Sequence, residues 1–345
     1  MRSSNVVAIC AVAWVLAACG STKSPSSSVD SGTPLGNTAG GTAWCTNGDN
    51  DVVRIVDLAK GSFTEVDLSS QHLSPLAIAL NSTDAWVIAA ANENTNNSTI
   101  NVVQISRATH KFVTTFPLDS DGGLNTSSIV ATDSAVWISG SSGGPVLYKI
   151  DATSTPTGYA VKASVGVASQ TSNSVLVGSG SIWLLVSNNS EILKINPSNP
   201  TSTPADLLVG NGIPEFGALA MDATNLYVID GFGHLYSVPQ NGFPNVTPSA
   251  PSTGTFFTPI RVGSDGLYVL PADRSKQISV VDKTKLTVTR TVPADDVIST
   301  FAVSGNTVAA AVGEFGGDDL QVFDASSGAT VAKIPGVYAD TLVLE

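Results

Sequence analysis

The chain has 345 residues, 13 % of them charged and 6 % aromatic, and its 28 acidic side chains outnumber 16 basic ones for a net charge of −12 at neutral pH. Binding to a phosphate backbone or an anionic lipid surface requires clustered Lys and Arg; no basic tract occurs, so nucleic acid and electrostatic membrane binding are excluded. A prior of about 150 residues per domain would suggest two domains, but closed all-β folds run longer as single units.

At the N-terminus, Arg2 precedes an apolar stretch from Val6 to Leu16. That run is shorter than the roughly 20 residues of a membrane-spanning helix, and a cation followed by a short apolar core is the pattern of a secretory signal peptide. It ends in Leu16-Ala17-Ala18-Cys19-Gly20, which resembles the lipobox of bacterial lipoproteins. The resemblance implies cleavage before Cys19, acylation of its thiol and new amino group, and attachment to the membrane by lipid instead of by a transmembrane helix. Because Gly20 and not Asp follows the cysteine, it also implies transfer to the outer membrane of a Gram-negative cell, facing the periplasm or the cell surface. In a Gram-positive cell the anchor would lie on the outer face of the plasma membrane. From Gly20 to Gly41 the chain is mostly Ser, Thr, Gly and Pro, too polar for a core, and reads as a tether with a root-mean-square span of about 25 Å. The expected organisation is residues 1–18 as leader, 19–41 as lipidated cysteine and tether, and 42–345 as one folded domain.

Within that domain an apolar run centred on an aromatic residue recurs, aligned at Trp44, Trp86, Trp137, Trp183, Tyr227, Tyr268 and, with the aromatic lost, Val308, at separations of 40 to 51 residues. A second column, Asp57, Ser106, Asp151, Asn196, Pro239, Asp282 and Asp324, closes a following apolar stretch. Another strand-like segment precedes each aromatic run (LAIAL, SIVAT, SVLVG, GALAM, PIRVG, TFAVS), and a fourth follows the second column (FTEVDL, FVTTFPL, TVTRTVP, TVAKIPG). Clusters such as NSTD, GSDG and ASSG separate the segments and supply turn-forming residues. Four short strands at this period form a propeller blade. The runs AWVIAA and IWLLV are apolar without alternation, as expected where a neighbouring sheet covers each face. The chain ends in DTLVLE, which matches a first strand, and the domain opens with GGTAWC, which matches a second. The predicted fold is an all-β, seven-bladed β-propeller with four-stranded blades, its ring closed by the C-terminal strand pairing with the N-terminal blade.

Cys10 leaves with the leader and Cys19 carries lipid, so Cys45 is the remaining thiol of the domain and no intrachain disulfide is possible there. Its column holds apolar residues in the other repeats (Val87, Ile138, Leu184, Val228, Val269, Ala309), which predicts a buried structural thiol.

The segments VVDKTKLTVTRTV, with Asp282, and VFDASSGATVAKI, with Asp324, resemble the YVTN-type β-propeller repeat, Val-x-Asp-x-x-Thr followed by a strand of alternating Val and Ile. The likeness is loose where Ser106, Asn196 and Pro239 replace the Asp. It implies an extracytoplasmic binding or surface protein, with streptogramin lyase and lactonase-like enzymes as cousins on the same fold. Fold alone does not choose among these.

An enzyme of this shape would place its chemistry at the channel mouth, where first strands begin; the expected starts are Ser74, Ser128, Ser174, Gly217, Thr258, Thr300 and Thr341. The Glu, Asn and Asp ligands of a metal-dependent lactonase are not visible in this register, so no catalytic residue, metal or cofactor is assigned. His72, His110 and His234 read as loop residues. Gly140 to Gly144 satisfies G-x-S-x-G but joins two strands, unlike a nucleophile elbow. Asp119 to Gly122 begins like a calcium loop, yet its twelfth position is Val130 where a bidentate Glu belongs. Asn92 to Asn97 reads as a polar hairpin tip.

What remains is an asymmetry of faces. Loops that enter first strands or leave second strands share one face and carry Asp49, Glu93, Asp119, Asp121, Glu215, Asp230, Asp273, Asp295, Asp296, Glu314, Asp318 and Asp340, with Arg274 the chief opposing cation. Phe216, Phe232, Phe256, Phe257, Phe315 and Tyr338 are interleaved with them. Exposed aromatics beside charge are typical of a recognition surface. The expected binding residues are Glu215, Phe216, Phe232, Phe256, Phe257, Asp295, Asp296, Phe315, Tyr338 and Asp340. The expected role is that of a monomeric, lipid-anchored binding or scaffold module for a basic or neutral envelope protein or glycan; the alternative is a small-molecule lyase or lactonase at the channel mouth.

Overall fold

The computed structural model describes residues 41–91, 99–118, 125–141, 145–152, 161–164, 172–186, 191–200, 205–208, 216–241, 254, 256–271, 274–313 and 318–345. The chain divides into two compact units, Met1–Pro34 and Leu35–Glu345, and every described residue belongs to the second. The leader, Cys19 and the tether up to Gly40 lie outside the described residues, as do Asn92 to Asn97, Asp119 to Gly122, Glu215 and Phe315.

Seven antiparallel sheets make up the fold, and no α-helix occurs among the described residues. Blade one joins the two chain ends: Thr341–Leu344, Thr42–Asn47, Val52–Asp57 and Ser62–Asp67. Blade two is Leu73–Leu80, Asp84–Ala91, Ile100–Ser106 and Lys111–Pro117; blade three is Asn125–Ala131, Ala135–Ser141, Pro145–Asp151 and Val161–Ser164. Blade four comprises Ser172–Gly178, Ser181–Val186, Glu191–Ile195 and Ala205–Leu208, and blade five has three described strands, Phe216–Met221, Asn225–Asp230 and Leu235–Pro239. Blade six is Phe257–Val262, Leu267–Leu270, Gln277–Val281 and Val288–Pro293; blade seven is Ile298–Ser304, Thr307–Val312, Asp319–Asp324 and Thr330–Pro335. First strands of successive blades lie side by side around a ring that closes from blade seven onto Thr341–Leu344. The predicted closure is present: Ala43 faces Leu344, Trp44 faces Val343, Cys45 faces Leu342 and Thr46 faces Thr341. Arg107, in the last hairpin of blade two, pairs with Glu345 and so fixes the end of the closing strand.

Burial follows position in the blade. Second strands are enclosed, as in SIWLLV of blade four, whereas fourth strands such as SFTEVD and VTRTVP are mostly exposed. Thr, Glu and Arg on these outer edges discourage pairing with other chains. The aromatic column packs one blade against the next: Trp86 meets Val136 and Tyr148 of blade three, Trp183 meets Leu219 and Val228 of blade five, and Tyr268 meets Phe301 and Val308 of blade seven. Its members from Trp44 to Tyr268 are at most 2 % exposed. Lys149 and Lys194, the cross-strand neighbours of Trp137 and Trp183, cover those rings at 5.1 and 4.9 Å.

In blade seven the expected register is off by one residue. Counting from the hairpin pair Ser304 and Thr307, the position equivalent to the aromatic is Ala309, opposite Ala302, and not Val308. Val308 accordingly faces blade six, while Ala309 packs with Ala43 and Cys45 of blade one. A slip of one residue exchanges the two faces of a strand, and with no aromatic in this repeat the sequence offered no marker of phase. The closing interface is therefore built largely from small side chains. Cys45 is fully buried there, and burial pushes its thiol up to about 12.

Three Asp of the second column, Asp57, Asp282 and Asp324, make turns. The Asp57 carboxylate accepts the amides of Ala59 and Lys60, Asp282 those of Thr284 and Lys285, and Asp324 that of Ser327 with the hydroxyls of Ser326 and Ser327. Ser106 and Asn196 do the same for Thr109 and Ser198. This is the Asx-turn chemistry that starts a hairpin, so the column is structural.

Candidate functional site

Two faces follow from the topology: an entry face, where the chain enters first strands and passes from second to third strands, and an exit face, where first strands end. First strands begin earlier than expected, at Leu73, Asn125, Ser172, Phe216, Phe257 and Ile298, with Thr341 alone as predicted. In those six strands the register shifts near the entry end, between Pro75 and Ala77, Thr126 and Ser128, Ser172 and Ser174, Phe216 and Ala218, Phe257 and Ile260, and Ile298 and Thr300. The extra residue of a bulge bends the strand and lets pairing resume beyond it. At the mouth this turns outward Leu76, which is 42 % exposed.

One entry-face feature held by several hydrogen bonds is the connection from second to third strand in blade five, Gly231 to His234. Asp230 ends the second strand fully enclosed. Its Oδ1 accepts the amides of Phe232 at 2.9 Å and His234 at 2.8 Å; its Oδ2 accepts the Tyr236 hydroxyl at 3.0 Å and lies 3.1 Å from His234 Nδ1. Four donors satisfy a buried carboxylate, and burial followed by the Asp230 charge pushes the Tyr236 hydroxyl up to about 12. An ionised carboxylate only accepts, so Nδ1 carries the proton and Nε2 is the acceptor of a neutral His234. The imidazole is partly exposed. Beside it, Phe232 is 65 % exposed, its ring 6.3 Å from that of His234. Asp230 is thus an anchor and not a rim acid.

The other expected binding residues divide. Phe256 is 3 % exposed and packs between blades five and six with Tyr227 and Leu286, its amide donating to the Gly233 carbonyl. It follows a long connection and plugs the interface beneath the Phe232 loop, a fate its apolar ring favours. Phe216 and Phe257 open the first strands of blades five and six. Asp295 and Asp296 lie on the entry face but are neutralised locally, by Lys333 and Lys276 respectively. Arg274 is therefore not their chief counterion. Hydrogen bonds from those lysines hold both carboxyls below their usual range. Such exposed pairs contribute little to stability.

Asp340 and Tyr338 sit where blade one meets blade two. Asp340 Oδ2 accepts the Gly48 amide at 2.7 Å, and the Gly48 carbonyl accepts the Ser74 hydroxyl at 2.8 Å, so the corner is stitched across two blades. Partial burial, then the Asp49 charge, raises the Asp340 carboxyl, and burial with the Asp340, Asp49 and Asp318 charges pushes the Tyr338 hydroxyl up to about 12. The other histidines are structural. His72 closes the Ser69–Gln71 turn in a left-handed conformation, and His110, also left-handed, stands edge-on to Trp44 at 5.6 Å. Gly140 and Ser141 end a second strand whose partner begins at Pro145, so that segment connects two strands.

Sequence reasoning did not anticipate a cavity of about 500 Å³ in the exit half of the channel. Leu80, Ala131, Met221, Val262 and Leu344, each the last residue of a first strand, help line it, together with Ser128, Ser174 and Arg261. The signal was one charged residue, in PIRVG, among first-strand segments otherwise apolar or small.

No family model matches the chain, and no curated protein matches it in sequence. Solved structures do match in fold. A functionally unknown protein from Desulfotomaculum acetoxidans DSM 771 is 12 % identical with a TM-score of 0.66, over 88 % of this chain and 98 % of that one. The computationally designed Ika8 protein is 10 % identical with a TM-score of 0.59, over 88 % and 86 %. Apo AztD from Citrobacter koseri is 10 % identical with a TM-score of 0.54, over 90 % and 98 %. At these identities the likeness establishes the propeller and nothing about activity.

Proposed function

We propose that the chain is a lipid-anchored, extracytoplasmic binding or scaffold module of the cell envelope, held through Cys19 and presenting the entry face of its propeller to a protein or glycan. The observation that carries this reading is Phe232. A large aromatic that is 65 % exposed stands on a loop whose backbone is already fixed by a buried carboxylate, so docking onto it costs little ordering entropy. Asp49, Asp318 and Asp340 gather near Tyr338 on the same face and suit a basic or neutral partner. The lipobox-like Leu16 to Gly20 and the YVTN-like repeats, shared with surface and binding proteins, agree with this role. On this reading the anchor lies in the outer membrane of a Gram-negative cell, or on the outer face of the plasma membrane of a Gram-positive one, and the protein acts as a monomer.

The test is capture from solubilised membranes with the native lipoprotein as bait. Asp230 holds the loop through main-chain amides, so Phe232→Ala leaves the fold intact. It should lower partner yield by about tenfold or more, as loss of an interface hot spot does, and Cys19→Ala should move the protein out of the membrane fraction. Undiminished capture by Phe232→Ala would refute the entry face as the docking surface.

A further inference from the structure

The exit-side cavity is lined mostly by apolar side chains, with the hydroxyls of Ser128 and Ser174 and the guanidinium of Arg261 as its polar groups. Among the described residues that line it, Arg261 is the one charged side chain and none is a carboxylate. It occupies the register position opposite the aromatic column, where other first strands carry Ala79, Val130, Leu176, Ala220 and Val343. Nothing in the fold's own packing asks for a cation there. Among the described residues its hydrogen bond is a local one, from Nη1 to the Ile260 carbonyl at 3.0 Å. Arg261 still touches solvent in the cavity, yet protein encloses it closely enough that burial lowers its guanidinium from the ordinary range. A buried lysine or carboxyl would escape by becoming neutral, but a guanidinium keeps its proton. Among the described residues, therefore, no charge compensates it in a largely apolar wall, and most of its donor fork is free.

We infer that this cavity binds an organic monocarboxylate with an apolar body, the carboxylate bridging to Arg261 and the hydrocarbon resting on Ile78, Leu80, Leu176 and Leu344. A planar guanidinium matches a carboxylate through two parallel hydrogen bonds. The cavity's volume falls in the range of about 300–1,000 Å³ usual for small-molecule sites. Inorganic phosphate, more highly charged and without an apolar part, would leave the wall unfilled and ask for cations the lining does not hold. The site lies on the face opposite Phe232, so this inference and the partner reading stand or fall separately.

Calorimetric titration of the full chain with octanoate, octanol and inorganic phosphate tests it. Octanoate should bind at one site about tenfold or more tighter than octanol, the range expected of a charged hydrogen-bonded pair, and Arg261→Gln should bring octanoate down to the octanol level. Arg261→Lys, which keeps the charge and loses the fork, should fall between. Ala131→Leu narrows the cavity with Arg261 in place and should weaken octanoate and octanol alike, which keeps the test decisive if Arg261→Gln does not fold. Equal octanoate affinity in wild type and Arg261→Gln, no octanoate binding by the folded wild type, or phosphate held as tightly as octanoate would each overturn the proposal.

Discussion

Single carboxylates do two kinds of work in this molecule, set by their donors. Asp57 is held below the ordinary carboxylate range first by Lys60, Asp282 by the Lys285 and Thr284 amides, and Asp324 by the Ser326 hydroxyl and the Ser327 amide. Because the folded values lie below the unfolded one, near 3.9, the stability they add is fully present above about pH 4 and is lost as pH falls through the folded values. The triple substitution Asp57→Asn, Asp282→Asn, Asp324→Asn keeps a turn-forming side chain and removes the titration. Thermal melts between pH 6 and pH 2 should show a flatter acid limb for the variant, and identical limbs would contradict the assignment. Asp340 runs the other way, raised by partial burial and the Asp49 charge, so it favours folding as pH falls toward its folded value. The turn-forming Asp column was legible in the sequence because one side chain and the amides two or three residues on suffice to make the turn. The role of Asp230 was not, since its partners include Tyr236 across a hairpin and the sequence shows it only as one more acid in a loop.

At the scale of the element, the second strand is what each blade packs around, and its aromatic is the wedge between neighbours. Trp86 is fully buried against blade three. Trp86→Ala should destabilise the protein by about 3–5 kcal/mol, the transfer and cavity cost of truncating a buried aromatic, read as a shift in the midpoint of urea unfolding. A shift below about 1 kcal/mol would mean that the interface collapses to refill the space. These strands announced themselves because an unbroken apolar run with a central Trp has few other uses. Blade seven misled by one residue, since TVAAAV offers no side chain large enough to mark which face is which. The cavity was not read: the aligned first-strand segments do show the charge of PIRVG as unusual, but that these strands enclose a cavity around it is tertiary information. Phe256 illustrates the reverse error, an aromatic in a loop that turned inward because an interblade gap lay within reach.

For the molecule as a whole, cooperativity rests on ring closure. Each sheet has both faces covered by neighbours, so no blade is independent, and the ends of the ring are joined by four residue pairs between Ala43–Thr46 and Thr341–Leu344. Removing residues 338–345 deletes the innermost strand of blade one and the Asp340 stitch to Gly48. The truncated chain should show no single sharp unfolding transition by calorimetry; one that melts like the intact protein would disprove the closure's importance.

The join between Thr46 and Thr341 spans 295 positions of sequence. During synthesis the sheet whose second strand carries Trp44 is therefore started before the other six blades and completed after them, and it waits with an unpaired inner edge until Thr341–Leu344 has emerged. An open strand edge of that lifetime invites pairing with other nascent chains, an exposure that ends only when Thr341–Leu344 docks against Ala43–Thr46.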